Sequence, residues 1–276
     1  MVRVGATGGQ GRPGRGACQR YGATARTEER DMNETWIILG ATSSMARAFG
    51  RAVAERGATV YLAGRDMEDL KGSAADLEAR GAAKAQAVKF DARDAATFAP
   101  IIAAAEGEEG LIHAAVFVGS MPEQSEVDKD PGLIDGTVQE SFTGPARFLQ
   151  MLAPVIEARA GGTVVGVGSV AGDRGRLSNY VYGSAKAGFH TYLAGLRNRL
   201  NRAGGHVVTV KPGFVDTAMT WGIEGMFLVA DPADVAGDIL KAVEKKKNTI
   251  YTPFFWRIIM TIIKSVPEPI FKKLSI

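Results

Sequence analysis

Residues 163–186, TVVGVGSVAGDRGRLSNYVYGSAK, decide the fold that this sequence predicts. The apolar run Thr163–Val167 is typical of a buried strand, and it ends in a glycine-rich loop. Tyr182 and Lys186 follow on a predicted helix, where residues four apart lie on one face. Because Ser169 stands where the strand ends, we expect the three side chains to meet in one crevice.

Strand-like and helix-like segments alternate along most of the chain on either side of this stretch. Continuous apolar strands that alternate with helices predict an α/β fold, a single doubly wound Rossmann-type domain with a parallel sheet flanked by helices on both faces. The ligand crevice of such a sheet lies at the carboxyl ends of its strands. The predicted strands are Trp36–Leu39, Thr59–Ala63, Ala85–Phe90, Leu111–Val118, Thr163–Val167 and Val207–Lys211, and the predicted helices are Ser44–Arg56, Met67–Arg80, Asp94–Ala105, Thr137–Arg159, Val181–Arg202 and Asp231–Lys245.

Composition divides the 276 residues into three parts. Residues 1–31 are rich in glycine and arginine without hydrophobic periodicity, which predicts a disordered extension and places the first residue of the fold at Met32. Residues 32–252 contain enough apolar material for one large catalytic domain. Residues 253–276 are apolar and basic, and we expect them to form a helical tail.

Charge and cysteine content exclude several classes of protein. The six arginines of residues 1–31 face three acidic residues, which accounts for the whole net charge of +3 and leaves a neutral body without a case for nucleic acid. Only residues 1–31 would support the alternative of a nucleic-acid-binding arm. Cys18 is the only cysteine and the three histidines are scattered, so we expect no disulfide, no metal site and a cytoplasmic location.

The turn from the first strand into the first helix has residue types that suit a pyrophosphate. Gly40 allows a tight turn, the hydroxyls of Thr42–Ser44 are donors, and the helix N-terminus offers free N–H groups. An ordinary strand-to-helix loop has a similar sequence. After the second strand, Arg65 offers a donor fork suited to phosphate, which favours NADP(H) over NAD(H) unless Arg65 is a solvated surface residue. Asp91 is either a partner for the adenine amino group or the cap of a following turn.

The three central side chains suit the reduction of a ketone. A proton donor must stand at the carbonyl oxygen as hydride reaches the carbon. Tyrosine has an ordinary pKa of about 10, and a neighbouring Lys186 ammonium is expected to lower the pKa of Tyr182. The Ser169 hydroxyl can hydrogen-bond the carbonyl. A packed tyrosine beside a solvated lysine has the same spacing, and the position of Ser169 argues against that alternative.

Four segments resemble, in the same order, the motifs of the short-chain dehydrogenases/reductases: Gly40–Ala46, Gly168–Gly172, Tyr182–Lys186 and Lys211–Thr217. The similarity spans about residues 34–245. It implies an NADP(H)-dependent enzyme that interconverts a ketone and a secondary alcohol. It also implies a homodimer or homotetramer built through the long helices 137–159 and 181–202.

The same resemblance assigns individual residues. It implies that Ser169, Tyr182 and Lys186 are the catalytic serine, tyrosine and lysine, and that Lys186 also holds the nicotinamide ribose. Ser141 stands where many members have an asparagine that supports a proton-relay water, so we count it among the catalytic residues. The residues expected to contact the cofactor are Gly40, Thr42, Ser43, Ser44, Met45, Arg65, Asp91, Ala114, Ala115, Lys186, Pro212, Gly213, Val215 and Thr217.

Three departures from the family pattern indicate a divergent subgroup with its own substrate. Ser44 and Ala46 replace the second and third glycines of the nucleotide loop, His113–Val116 replaces the usual Asn-Asn-Ala-Gly, and Ser141 replaces asparagine. We expect His113 to be a structural residue. Family reductases that act on polyprenyl-phosphate-linked keto-sugars have a similar nucleotide loop and apolar tail, which is an analogy that names no substrate.

The remaining segments concern the substrate and the surroundings of the enzyme. The predicted lid, Thr217–Ala230, is apolar, so it favours a partly lipophilic or lipid-linked substrate unless it merely packs on the body. Within the tail, Phe254–Ile263 is too short to span a bilayer but could lie on the inner face of an anionic membrane. Packing on the body or on a subunit partner is the alternative. A non-catalytic NADP(H)-binding or scaffold protein of the same fold remains the competing function.

Overall fold

A seven-stranded parallel sheet forms the centre of the protein, with the strand order β3-β2-β1-β4-β5-β6-β7. The computed structural model describes residues 33–217 and 228–274, so the predicted extension 1–31 and most of the predicted lid lie outside the described residues. The strand order reverses between β1 and β4, because β2 and β3 lie on one side of β1 and β4 to β7 lie on the other. Open α/β sheets bind their ligands at such a switch point. The strands are β1 Glu34–Leu39, β2 Thr59–Gly64, β3 Lys84–Lys89, β4 Leu111–Val116, β5 Thr163–Val167, β6 His206–Pro212 and β7 Thr249–Thr252.

Helices cover both faces of the sheet because side chains of its central strands are buried on both sides. Trp36 and Ile38 of β1 pack with α1, α2 and α8 on one face, while Ile37 and Leu39 pack with α3, α6 and α7 on the other. This confirms the predicted doubly wound α/β fold. The helices are α1 Ser44–Ala54, α2 Met67–Ala79, α3 Phe98–Glu106, α4 Gln124–Val127, α5 Leu133–Val138, α6 Gly144–Ala158, α7 Tyr180–Asn201, α8 Pro232–Glu244, α9 Trp256–Ser265 and α10 Glu268–Phe271.

Two strands differ from the prediction. The edge strand β3 alternates between partly buried and exposed residues, whereas the sequence predicts a buried strand over Ala85–Phe90. The opposite edge strand, β7, was not predicted, although Thr249–Thr252 has the β-branched and aromatic residues that strands favour. Pairing of β7 with β6 places residues Tyr251 and Thr252 beside Lys211 and Pro212.

The predicted long helix 137–159 is two α-helices joined by the π-helical turn Gln139–Thr143. Pro145 has no N–H, so the α-helical hydrogen bond back to the carbonyl of Ser141 cannot form. At Gly144 a Cβ atom would lie 2.2 Å from the carbonyl oxygen of Ala92, so only glycine allows this approach. π-turns inside helices occur frequently at functional sites, and this one contains Ser141.

The C-terminal tail forms α9 and α10, and one face of α9 packs on the body. Trp256 and Met260 are buried there, next to Phe214 and Tyr251. Arg174, from the loop after β5, donates to the carbonyl oxygens of Ile263 and Val266 at 2.5 and 2.7 Å. The tail is therefore tied to the loop that follows the predicted catalytic serine. Neither α9 nor any other helix within 33–217 and 228–274 has the length and apolar character needed to cross a membrane.

Candidate active site

Lys186 lies at the centre of a buried site at the carboxyl ends of β4 and β5. Only 3% of the residue is exposed, and its ammonium donates to the carbonyl oxygens of Val118 and Val167 at 3.2 and 3.1 Å. Burial lowers the pKa of Lys186 to about 8. The Nζ atom is 5.8 Å from the centre of the Tyr182 ring, so the two side chains face the same crevice, as their spacing predicted.

Tyr182 is 8% exposed and interacts with Ser169. Burial raises the pKa of Tyr182 to about 12, while its hydrogen bond with Ser169 and the charge of Arg176 lower it. Burial outweighs the contributions that lower this pKa, and the lowering expected from Lys186 stays a prediction. The phenol is therefore protonated at neutral pH, which is the form that donates a proton to a carbonyl oxygen.

Ser141 is fully buried, and its hydroxyl forms two hydrogen bonds with the backbone of Ser120. Its hydroxyl accepts from the Ser120 N–H at 3.0 Å and donates to the Ser120 carbonyl at 3.1 Å. A hydroxyl has one donor and two acceptor positions, so one acceptor position remains. A Cβ atom on Gly119 would lie 3.1 Å from the Lys186 Nζ and 3.5 Å from the Ser141 Oγ, which places both polar groups against the same backbone segment.

The loop after β1, which the sequence predicts to bind pyrophosphate, makes a tight turn into α1. Gly40 has a φ of +76°, and a Cβ atom there would lie 3.1 Å from backbone atoms of Phe117 and Val118. Ser43 caps α1 by accepting from the Ala46 N–H at 3.2 Å. Glycine at position 40 therefore lets this loop pack closely against the backbone that follows β4, and the positive end of α1 lies beside it. Thr42 belongs to this loop, while Ser44 and Met45 form the first residues of α1.

Arg65 lies directly after β2 and shares a carboxylate with a second arginine. The Nη1 atom of Arg65 is 3.3 Å from Glu140 Oε1, and the Nε atom of Arg93 is 3.0 Å from the same oxygen. The Glu140 side chain is 10% exposed, whereas that of Arg65 is 67% exposed. One guanidinium nitrogen of Arg65 thus contacts Glu140, and most of the Arg65 side chain is exposed just after β2. Glu140 and Arg93 have no sequence signal for this contact, since both are distant from Arg65 in the chain.

Three predicted cofactor contacts lie in other structural contexts. Asp91 accepts from the Arg93 N–H at 2.9 Å, so its carboxylate caps its own turn, which was the alternative interpretation. Ala114 and Ala115 are fully buried inside β4, and each is paired in register with both neighbouring strands. The residues that β4 extends into the crevice are Phe117–Ser120, which contact Gly40, Lys186 and Ser141.

The segment after β6 lies at the same edge of the sheet. Pro212 ends the strand, and Val215 is buried and forms an isolated bridge with Ala230. A Cβ atom on Gly213 would lie 1.9 Å from the indole nitrogen of Trp256, so the tail packs directly on the predicted proline–glycine turn. Thr217 is partly buried at the end of the described segment. The involvement of Trp256 had no sequence signal beyond the aromatic character of the tail.

His113 is a structural residue within β4, and it does not line the crevice. Its ring stacks on Trp36 with centroids 4.5 Å apart, and its Nδ1 atom accepts from the Thr163 N–H at 3.1 Å. Burial lowers the pKa of His113 to about 4, so the ring is neutral. Among residues 33–217 and 228–274, no group of three or more histidine, cysteine, aspartate or glutamate side chains is arranged to hold a metal ion.

A doubly wound parallel sheet with a partly buried serine and a buried tyrosine and lysine at its carboxyl edge defines a class of dehydrogenases. The family model of the short chain dehydrogenases matches residues 34–226, and the chain belongs to this family of oxidoreductases. An uncharacterized oxidoreductase of Mycobacterium tuberculosis is 31% identical over 239 residues, which cover 86% of this chain and 96% of that protein.

Solved structures have the same fold. A short-chain dehydrogenase from Sphingobium yanoikuyae in complex with NADPH superposes with a TM-score of 0.73 at 21% identity, covering 85% of this chain and 97% of that one. A variant of the actinorhodin polyketide ketoreductase with NADPH has a TM-score of 0.68 at 21% identity, covering 77% and 90%. At this level of identity the likeness concerns the fold alone.

Proposed function

We propose that this protein is an NADP(H)-dependent reductase that interconverts a ketone and a secondary alcohol. The observation that carries the proposal is the contact of Ser169 with the buried Tyr182, beside the buried Lys186, at the carboxyl ends of β4 and β5. The NADPH complexes of two proteins with the same fold support the choice of cofactor. Arg65, whose side chain is largely exposed after β2, supports the choice of NADP(H) over NAD(H).

The residues present fit such a cofactor along the whole carboxyl edge. Gly40 and the N-terminus of α1 would hold the pyrophosphate, and Arg65 would hold the phosphate on the adenosine ribose. Lys186 would hold the nicotinamide ribose, and Pro212–Thr217 would contact the carboxamide. The reduced nicotinamide supplies the hydride when bound.

Side chains of the protein donate the proton and orient the substrate. Tyr182, with a pKa of about 12, keeps its proton at neutral pH and gives it to the substrate oxygen. Ser169 interacts with the Tyr182 phenol and orients the carbonyl beside it. The Lys186 ammonium, held between two carbonyl oxygens, supplies positive charge in a water-poor site where a developing oxyanion needs it.

We propose that the substrate is partly lipophilic or lipid-linked and that the enzyme works at the inner face of a membrane. Support for the location comes from the outer face of the tail, where Phe254, Ile258 and Ile262 are exposed at intervals of four residues. The exposed basic residues Arg257 and Lys264 lie on the same helix. An apolar stripe with basic flanks suits an anionic lipid surface.

We propose further that two copies of the chain associate through α6 and α7. An apolar groove of about 620 Å³ lies between these helices, lined by Phe142, Tyr192 and Leu196 among others. Gly195 borders the groove, and a Cβ atom added there would meet nothing within 4 Å. A second copy of the same helix pair would fill this groove, and the family resemblance implies the same face.

Turnover with a matched mutant tests the proposed function. NADPH oxidation would be followed by absorbance with a panel of hydrophobic ketones and lipid-linked keto-sugars, using wild type and Tyr182→Phe. We expect at least a 100-fold loss in Tyr182→Phe, because the proton donor is removed. We expect NADH to be a much poorer donor, and Arg65→Ser to lose at least tenfold of the preference for NADPH.

Each result bears on a different part of the proposal. Equal turnover by Tyr182→Phe would overturn the catalytic assignment. Equal use of NADH by wild type would overturn the role of Arg65. Tight NADPH binding without turnover on the whole panel would support the competing function, a non-catalytic NADP(H)-binding or scaffold protein.

A further inference from the structure

The ring of His190 lies against the loop that presents the catalytic serine. His190 is on α7, one turn beyond Lys186, and its side chain is 10% exposed. Its Nε2 atom accepts from the backbone N–H of Ser169 at 3.3 Å. A Cβ atom on Gly168 would lie 2.0 Å from His190 Nε2, and one on Gly172 would lie 2.7 Å from His190 Cε1. The ring therefore occupies the space that side chains on both glycines would need.

The far side of the ring faces a buried carboxylate. His190 Nδ1 is 4.0 Å from Asp173 Oδ1, and the Asp173 side chain is 3% exposed. Lys211 donates to the same oxygen at 2.5 Å, and the Tyr251 hydroxyl donates to the other oxygen at 2.6 Å. Asp173 is thus fixed to β6 and β7. It ends the 3-10 turn Val170–Asp173 that Ser169 begins.

The hydrogen bonds determine the state of the ring. Since Nε2 accepts from Ser169, a neutral His190 carries its proton on Nδ1, on the side of Asp173. Burial and the charge of Lys211 lower the pKa of His190 to about 3, against the opposing effect of Asp173. The ring is neutral at physiological pH, so Nε2 stays available as an acceptor.

We propose that His190 is a positioning residue that holds the backbone of Ser169 and thereby sets the Ser169 hydroxyl against Tyr182. The inference rests on the proposed function. His190 lies against both ends of the turn 169–173, because it accepts from the N–H of Ser169 at one end and its Nδ1 atom is 4.0 Å from the carboxylate of Asp173 at the other. Ser169 also uses its hydroxyl to cap this turn, accepting from the Ala171 N–H at 3.1 Å. A displacement of the Ser169 backbone therefore displaces the hydroxyl that orients the substrate.

Two substitutions separate positioning from general stability. His190→Gln keeps an acceptor that can reach the Ser169 N–H but loses the ring, whereas His190→Phe keeps a ring but loses the acceptor. We expect kcat to fall about 10- to 100-fold in His190→Phe and to stay within about threefold of wild type in His190→Gln. The dissociation constant for NADPH should change less than about twofold in both. Because phenylalanine keeps a ring in the space of the imidazole, we expect His190→Phe to have a higher melting temperature than His190→Gln. The order of the two variants in thermal stability is therefore the opposite of their order in kcat.

A second readout does not depend on turnover. In isotope-labelled protein, the amide proton of Ser169 should exchange with solvent faster in His190→Phe than in wild type and at a near wild-type rate in His190→Gln, since an N–H without an acceptor is less protected. Equal kcat in His190→Phe and wild type, or a kcat that falls with the melting temperature in both variants, would overturn the inference and leave the proposed reaction intact. Absence of turnover in wild type would count against the reaction, and an unchanged exchange rate of the Ser169 amide in His190→Phe would then still overturn the inference.

Discussion

Two histidines are buried in this fold, and burial lowers the pKa of His113 to about 4 and that of His190 to about 3. The ordinary pKa of histidine is about 6.5, so the unfolded chain takes up protons below that pH while the folded protein does not. The unfolding free energy therefore falls as the pH drops from about 6.5 toward the folded-state values. The same burial that keeps both rings neutral makes the protein acid-sensitive.

His113→Asn tests this acid sensitivity. The asparagine oxygen can accept from the Thr163 N–H as Nδ1 does, although the stacking on Trp36 is lost. We expect the variant to be less stable at neutral pH but to lose about 2 kcal/mol less unfolding free energy than wild type between about pH 7 and pH 5. Urea denaturation at both pH values measures the difference. His206→Asn, at a half-buried histidine on β6, is the control and should have a smaller effect; parallel pH curves for wild type and His113→Asn would contradict the argument.

At the residue scale, the sequence predicts those contacts of the site that join residues close together in the chain. Tyr182 and Lys186 share a helix face, and Ser169 ends the preceding strand, so local geometry alone places them at one edge of the sheet. Contacts between distant segments had no such signal. The pair of Arg65 and Glu140 joins residues 75 positions apart, and only the folded sheet brings them together.

At the element scale, α9 has two apolar faces with different surroundings. Trp256 and Met260 are buried against the body, whereas Ile258 and Ile262 are 57% and 63% exposed. The sequence predicted an apolar basic helix but left open whether it packs on protein or on lipid, because periodicity does not show which face the body covers. It also missed β7 and the π-turn at Ser141, since β7 is short and the π-turn depends on the approach of Gly144 to Ala92.

The exposed face of α9 leads to a membrane prediction. Burial of one isoleucine contributes about 1.5–3 kcal/mol, so Ile258→Ser combined with Ile262→Ser should weaken binding to phosphatidylglycerol-containing vesicles at least tenfold. Co-sedimentation at low and high salt measures it, and Ile134→Ser, at an exposed isoleucine of α5, is the matched control. Wild type that stays in the supernatant with these vesicles, or a double variant that binds as tightly as wild type, would rule out this role of the tail.

At the scale of the whole molecule, the groove between α6 and α7 determines whether the chain works alone. Gly195→Arg fills open space at this groove, so it should leave the fold intact and block a second copy. We expect light scattering to give a multiple of 29.2 kDa for wild type and about 29.2 kDa for the variant. Gly237→Arg on α8, where an added Cβ also meets nothing within 4 Å, is the control and should keep the wild-type mass. A monomeric wild type, or an unchanged mass in Gly195→Arg, would exclude this interface.

The contact of His190 with Gly168 and Gly172 also constrains how this sequence can diverge. A lineage cannot acquire a side chain at either glycine while the imidazole remains, and it cannot acquire the imidazole until both positions lack side chains. Gly168 and His190 should therefore be inherited as a pair. Among descendants of a common ancestor, we expect position 168 to vary in those lineages that have lost the histidine, whereas position 172 should stay glycine because a Cβ atom there would also lie 2.8 Å from the backbone nitrogen of Ala187.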